Sequence, residues 1–248
     1  MTLVVDCGGG GIKASVLDEA GTMSAQAVRV PTPYPLPPTL FLDTIEQVAA
    51  MLPQADRLTV GVPGMVRHGV VLTTPHYVTR TGPRSRVDPE LLAAWSGYDA
   101  EAAVRDRFGR PALVMNDAEV HAAGAVTGSG LELVLTLGTG LGCAVFDRGV
   151  LAPHLELSHA TVRRGTTYDA WIGEHVRRQL GDLFWSRRVR TMVAELRPVF
   201  GWDRVYLGGG NARRIRADYL DQMGDDVVVV PNSTALAGGV RAWSLVRR

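Results

Sequence analysis

Several short stretches of this 248-residue sequence carry residue types and spacings suited to chemistry on phosphate and hydroxyl groups. In VVDCGGGGIKASVLD, Asp6 precedes Gly8, Gly9, Gly10 and Gly11, and Lys13, the one lysine of the chain, follows them. Consecutive glycines let backbone N–H groups approach an anion with no side chain in the way. A carboxylate beside such a loop is placed to hold Mg2+, directly or through water. A second glycine turn, Gly138-Thr139-Gly140, lies in LVLTLGTGLGCAVFD. Either turn alone is equally a tight hairpin; the pair, with Asp6, favours two turns gripping one polyphosphate chain. Asn116 and Asp117 end the apolar run PALVM, where open α/β sheets place ligand-binding residues. Asp117 reads as a general base for a substrate hydroxyl or as a helix cap, two compatible roles. Asn116 offers a donor and an acceptor, which suits a polyol. In ELSH, Glu156 and His159 supply an acid and an imidazole, on a loop where such a pair is equally a solvated one. In LGGGNA, Gly208, Gly209, Gly210 and Asn211 form a turn against which a base or ribose can lie, or an ordinary strand-to-helix turn with an Asn cap.

These residues need elements to hold them. A Walker loop or a dinucleotide fingerprint opens a helix after its glycines. Here IKASVLD is rich in strand formers, so the first glycines turn a β-hairpin. The patterning predicts a three-strand meander over Leu3–Val5, Ile12–Leu17 and Met23–Val30. Proline-rich PTPYPLPP then breaks the pattern, a helix follows in LFLDTIEQVAAML, and RLTVGVPG reads as strand and turn. Val66–Trp95 reads as loops and short strands. A helix in YDAEAAVRDRFG stops at Gly109, and PALVMND runs as a strand into helical AEVHAAGAV. After the second hairpin come helices over Tyr168–Leu180 and Trp185–Phe200, strand RVYLGGG, helix NARRIRADYLDQM, strand VVVVP and helix STALAGGVRAW. Alternating strand and helix marks a sheet covered by helices. LVVDCGGGGIKASVLDEAG and LVLTLGTGLGCAVFDRGVL repeat one order, strand, glycine turn, strand and Asp, which predicts two related lobes. The expected division is 1–117 and 118–248, with the last helix a candidate to pack back on the first lobe.

Composition narrows the partners. The 26 basic and 25 acidic residues leave a formal charge of +1, so no global field favours nucleic acid or an anionic membrane. Cys7 and Cys143 form no metal-type or disulfide-type spacing, and no apolar run reaches the roughly 20 residues of a membrane helix. With no signal-like N-terminus, a soluble cytoplasmic protein is expected.

Taken in order, the motifs resemble the sugar kinases of the ROK family, an α/β, two-lobed actin-like ATPase (ribonuclease H-like) fold with a central cleft. Within it they are most similar to the short polyphosphate-glucokinase-like branch. DCGGGGIK resembles D-x-G-G-T-x-x-K, GVPGMV resembles G-x-P-G, MNDAEVHAAG resembles N-D-A-x-x-x-A-x-G, and ELSH resembles E-x-G-H. LTLGTGLGCAVFDRGVL and LGGGNA resemble the second phosphate motif and the adenosine-side glycines. The resemblance implies phosphoryl transfer from ATP, or inorganic polyphosphate, to a hexose or a hexose-like polyol such as a cyclitol. Asp117 would be the catalytic base. Asn116, Glu156 and His159 would contact the sugar, with Gly64 beside it. Asp6, the first loop, Lys13 and Gly138–Gly140 would handle phosphate and Mg2+, and Gly208–Asn211 the nucleotide. A homodimer is the default assembly. Gly10 departs from the pattern by lacking the usual Thr or Ser hydroxyl. Ser158 replaces Gly, with a tilt of Glu156 or His159 as the expected effect. The Cys-rich zinc motif of many relatives is absent, so no zinc site is expected. The first strand begins one residue after Met1, so the DNA-binding helix-turn-helix of ROK transcription factors is not expected either. A catalytically impaired sugar or nucleotide sensor is the rival reading.

Overall fold

A computed structural model describes residues 1–231 and 234–245 of the chain. Two compact units divide it, Met1–Gly124 with Ala235–Ser244, and Ala125–Thr234. In the first unit the elements are β1 (Thr2–Gly8), β2 (Gly11–Leu17), β3 (Val28–Val30), α1 (Pro38–Ala49), β4 (Arg57–Val62), β5 (Met65–Arg67), β6 (Val70–Thr73), α2 (Pro89–Trp95), β7 (Tyr98–Asp99), α3 (Ala100–Phe108), β8 (Ala112–Asn116) and α4 (Asp117–Ala125). Alternating apolar residues put Leu3, Val5 and Cys7 of β1 on one face, in a core shared with Phe41, Ile45 and Val48 of α1. That spacing places the three α1 residues on one stripe of the helix. The sheet order is β3-β2-β1-β4-β8, antiparallel across β1, β2 and β3 and parallel across β1, β4 and β8.

The second unit contains β9 (Leu131–Leu137), β10 (Leu141–Asp147), β11 (Val150–Leu151), β12 (Thr161–Arg163), β13 (Thr166–Thr167), α5 (Tyr168–Ile172), α6 (Glu174–Phe200), β14 (Arg204–Gly208), α7 (Ala217–Leu220) and β15 (Val227–Val229). Its main sheet runs β11-β10-β9-β14-β15, with the same alternation of antiparallel and parallel neighbours as the first. The repeated hairpin seen in sequence is therefore part of a repeated five-strand plan.

The last helix, α8 (Thr234–Leu245), lies mostly within the first unit. Its expected first residue, Ser233, falls outside the described residues. Gly238 meets the Val120 backbone and Gly239 meets the Val4 side chain, at approaches too close for any Cβ. The Thr59 hydroxyl donates to the Gly239 carbonyl at 2.7 Å and accepts from the Trp243 indole at 2.8 Å. Helix α4 stays in this unit as well, so the division falls at Gly124 and not at the start of the helix.

The stretch Val66–Trp95, expected as loops and short strands, ends in the helix α2, where Pro89 starts the first turn and the Asp88 carboxylate caps it by accepting from the Glu90 N–H at 2.9 Å. Three further expected elements differ in extent. The third strand shrinks to Val28–Val30, because the Asp18 carboxylate turns the chain by accepting from Ala20 and Thr22 and the residues that follow are mostly exposed. The helix expected over NARRIRADYLDQM is a 3-10 turn at Ala212–Arg214 and the single turn α7, since the Arg216 N–H donates to the Ser186 hydroxyl instead of a helical carbonyl. The helical stretch expected over Tyr168–Leu180 breaks at Gly173, and the run beyond it bends at Gly181, whose φ of 73° departs from the helix. Among the described residues no helix is long and apolar enough to cross a membrane.

Candidate active site

The first group of candidates gathers at the C-terminal ends of the parallel strands of the first unit. In β1, Asp6 pairs with Lys13 of β2 on one side and with Gly61 of β4 on the other. A Cβ at Gly61 would lie 3.1 Å from the Asp117 Cα and 3.4 Å from Val120 Cγ2. Glycine at this one strand position therefore lets the start of α4 settle onto the sheet, bringing Asp117 toward the strand that carries Asp6. The buried Cys7 thiol reports the same proximity. Burial pushes its pKa well up, and the charges of Asp6 and Asp117 push it further. Burial also raises the pKa of Asp6, against the opposing pull of Lys13 and Arg29. Among the described residues no group donates a hydrogen bond to the Asp6 carboxylate, leaving its oxygens for an incoming cation or its water shell. Mg2+ is held by one or two carboxylates plus substrate phosphates, and Asp6 at the mouth of a glycine turn fits that donor set.

Asn116 is almost wholly committed to the backbone. Its Nδ2 donates to the Gly64 carbonyl at 2.8 Å, while Oδ1 accepts from the Ala118 N–H at 2.8 Å and the Glu119 N–H at 3.3 Å. It thus caps α4, the role the sequence offered to Asp117, and ties the helix start to the Gly64 turn. Asp117 Oδ1 accepts from the Ala118 N–H at 2.9 Å and its side chain is half-buried. Gly64, at φ +106°, has Thr74 Cα 2.8 Å from where a Cβ would be, so only glycine makes this turn. The turn of the first hairpin is held from outside: the Thr32 hydroxyl donates to the Gly8 carbonyl at 2.7 Å and the Tyr34 hydroxyl to the Gly9 carbonyl at 2.8 Å. A side chain at Gly9 would strike His76 and Pro83, each at 2.8 Å, whereas Gly10 has open space around it.

In the second unit, two motifs distant in sequence form one assembly. The Asn211 N–H donates to the Leu137 carbonyl at 3.0 Å, and Asn211 Nδ2 donates to the Gly138 carbonyl at 3.2 Å. Gly209, at φ +83°, sits where a Cβ would lie 2.5 Å from the Leu137 carbonyl oxygen. The Glu174 N–H, at the start of α6, donates to the carbonyls of Gly138 at 3.0 Å and Thr139 at 3.3 Å. Opposite, the Leu141 N–H donates to Asp169 Oδ1 at 2.7 Å, in the space a side chain at Gly140 would fill. Hydrogen bonds from Arg177 hold the Glu174 carboxyl down at about 2 against burial, with Arg178 and Asn211 adding to the effect.

Glu156 is clamped on both oxygens. The Ser158 hydroxyl donates to Oε1 at 2.5 Å, and His154 Nε2 lies 3.4 Å from Oε2. Burial raises the Glu156 pKa, and these hydrogen bonds outweigh it, so the group stays ionised below the usual carboxylate range. Ser158 is thus a second anchor for the carboxylate. His159 ends the adjoining 3-10 turn and is exposed. Sequence reasoning missed His154, Asp169, Glu174 and Gly61. His154 stands two residues before Glu156, a proximity that could have linked them; Gly61 is the first glycine of the G-x-P-G piece, and Asp169 and Glu174 carry no local signal. Among the described residues no group of three or more His, Cys, Asp or Glu side chains is placed to hold a metal.

The sequence model described as the ROK family matches residues 2–152. The polyphosphate glucokinase of Mycobacterium tuberculosis (strain CDC 1551 / Oshkosh) is 26% identical over 246 residues, spanning 95% of this chain and 87% of its own length. Among solved structures, the inorganic polyphosphate/ATP-glucomannokinase from Arthrobacter sp. strain KM superposes with a TM-score of 0.79 at 27% identity, covering 98% of each chain. A ROK family glucokinase from Streptomyces griseus, in complex with glucose and AMPPNP, superposes with a TM-score of 0.72 at 20% identity over 97% of this chain and 98% of its own. The fold is accordingly the actin-like ATPase fold, and the twice-used strand order is its internal repeat.

Proposed function

The chain belongs to the ROK family, and from that premise we propose that it is a sugar kinase moving a terminal phosphoryl group from ATP to a hydroxyl of a hexose or hexose-like polyol. The observation that carries the chemistry is the approach of Asp117 and Asp6 on one sheet face, made possible by Gly61 between them. Asp117 accepts the proton of the acceptor hydroxyl as its oxygen attacks phosphorus; the bond from phosphorus to the leaving oxygen breaks, and the donor departs one phosphate shorter. Asn116 fixes where that base stands by pinning α4 and the Gly64 turn together. Glu156, kept ionised by Ser158 and His154, is an acceptor for sugar hydroxyls, with His159 beside it in the same turn. Backbone N–H groups of the two glycine turns meet the donor phosphates, and Gly208–Asn211 lies against the nucleoside. Mg2+, held by Asp6 and donor oxygens, would neutralise developing charge. The same reading takes the cytoplasm as its place and a homodimer as the default assembly.

A coupled assay across hexoses, aminosugars and cyclitols tests this. Asp117→Asn is expected to lower kcat by about a hundred- to ten-thousandfold with sugar affinity retained. Sugar binding with no turnover on any acceptor would replace the kinase with the sensor of the same fold.

A further inference from the structure

The strand pairing at the first glycine turn leaves two cations unpaired. Lys13 of β2 stands directly opposite Arg29 of β3 and, on its other side, opposite Asp6 of β1. Directly opposed residues on neighbouring strands point to the same face, and like charges placed so are destabilising. The cost has no internal remedy. Among the described residues neither cation forms an ion pair or a hydrogen bond, and the carboxylate on which both act is Asp6. Two positive charges thus stand side by side at the edge of the turn, with the Asp6 carboxylate opposite.

The arginine also has a defined position. Its guanidinium lies over Gly11, with Nε 2.8 Å and Nη2 3.0 Å from where a Cβ on Gly11 would stand. Glycine there makes room for the guanidinium beside the turn. A planar guanidinium with unused donors next to a glycine turn matches the geometry of a phosphate oxygen pair.

We propose that Arg29 of β3 is a further donor-binding residue, its guanidinium meeting the phosphoanhydride chain of the donor beside the Gly8–Gly11 turn. The ligand chemistry is a linear chain of phosphates, from a nucleoside triphosphate or from inorganic polyphosphate. The inference deepens the kinase reading, on which its catalytic consequence rests.

The test measures donor and acceptor kinetics of Arg29→Ala and Arg29→Lys, alongside calorimetric binding of inorganic tripolyphosphate to the same proteins. Arg29→Ala is expected to reduce kcat/KM for the donor and tripolyphosphate affinity about ten- to a hundredfold, with sugar KM unchanged and the melting temperature raised by the relief of the Lys13–Arg29 repulsion. Arg29→Lys restores part of the loss, because it returns the charge without the fork. Gly11→Ala, which keeps the charge but crowds the guanidinium, should reproduce a smaller share. Equal losses with ATP and polyphosphate mean Arg29 serves both donors; a loss with one alone assigns it to that donor. Unchanged donor KM and unchanged tripolyphosphate affinity in Arg29→Ala would overturn the assignment. If the wild-type protein turns over no acceptor yet binds tripolyphosphate through Arg29, the kinase reading falls and the phosphate-binding role of Arg29 stands.

Discussion

The turn Gly8–Gly11 and the turn Gly138–Gly140 close the first hairpins of two sheets with the same strand order, and different side chains surround them. Around the first stand Lys13 and Arg29, with hydroxyls from Thr32 and Tyr34 holding its carbonyls. Around the second stand Asp169, which already takes the Leu141 N–H, and Glu174, whose backbone holds the turn's carbonyls. One backbone plan is thus finished twice. Beside the first turn two cations stand without an ion pair among the described residues, while the second uses the protein's own carboxylate to shape the loop. The turns after the fourth strands compare as well. Gly64 and Gly209 both follow that strand with positive φ, and each lies by an asparagine that bridges segments, Asn116 from β8 in one case and Asn211 from the same turn in the other. A repeated fold fixes where backbone must bend, and the side chains brought to each bend decide its chemistry.

The strongest way to break this parallel is at those two glycines. Gly64→Ala and Gly209→Ala are each expected to lower stability by about 2–4 kcal/mol, combining left-handed strain with backbone overlap, as read by thermal unfolding. If either proves neutral, the shared backbone constraint is wrong. Acid titration separates the units next. Burial holds the His121 imidazole of the first unit from 6.5 down to about 4. The unfolded chain then takes up the proton first, so stability is complete above pH 6.5 and is lost as pH falls toward about 4. Glu174 of the second unit is shifted from 4.5 to about 2, so its contribution persists to lower pH and fades only across that window. Hydrogen exchange against pH is expected to show amides of the first unit losing protection first, and His121→Gln to remove the earlier phase. The smallest effect sharpens the contrast between the two turns. Gly10 has open space, so Gly10→Thr is expected to change stability by less than about 0.5 kcal/mol. Gly140→Ala, which meets the Asp169 carboxylate, should cost more, and donor KM for Gly10→Thr tells whether a hydroxyl there meets phosphate.

Much of the site was legible in the order of the residues alone. Apolar runs bounded by glycine gave both hairpins, and Asn116–Asp117 at the end of a buried run gave a strand terminus running into a helix, because both signals are local in sequence. What local patterning missed depends on neighbours brought from elsewhere. NARRIRADYLDQM has helical composition, yet a hydroxyl from α6 captures the Arg216 amide and breaks the helix. Ser158, in sequence a lost glycine, turns its hydroxyl to the Glu156 carboxylate.

By itself the sequence determined that Asp6, Lys13 and the glycines share one hairpin, since a two-residue turn fixes the register of the strands it joins. Only the tertiary structure decided that Gly61 lies between Asp6 and Asp117, and that Arg29 stands beside Lys13 over Gly11. The parallel pairing of β1 with β4 and the docking of α4 are contacts between distant segments. They are set by which apolar faces can be buried together, a choice the periodicity of any one strand leaves open.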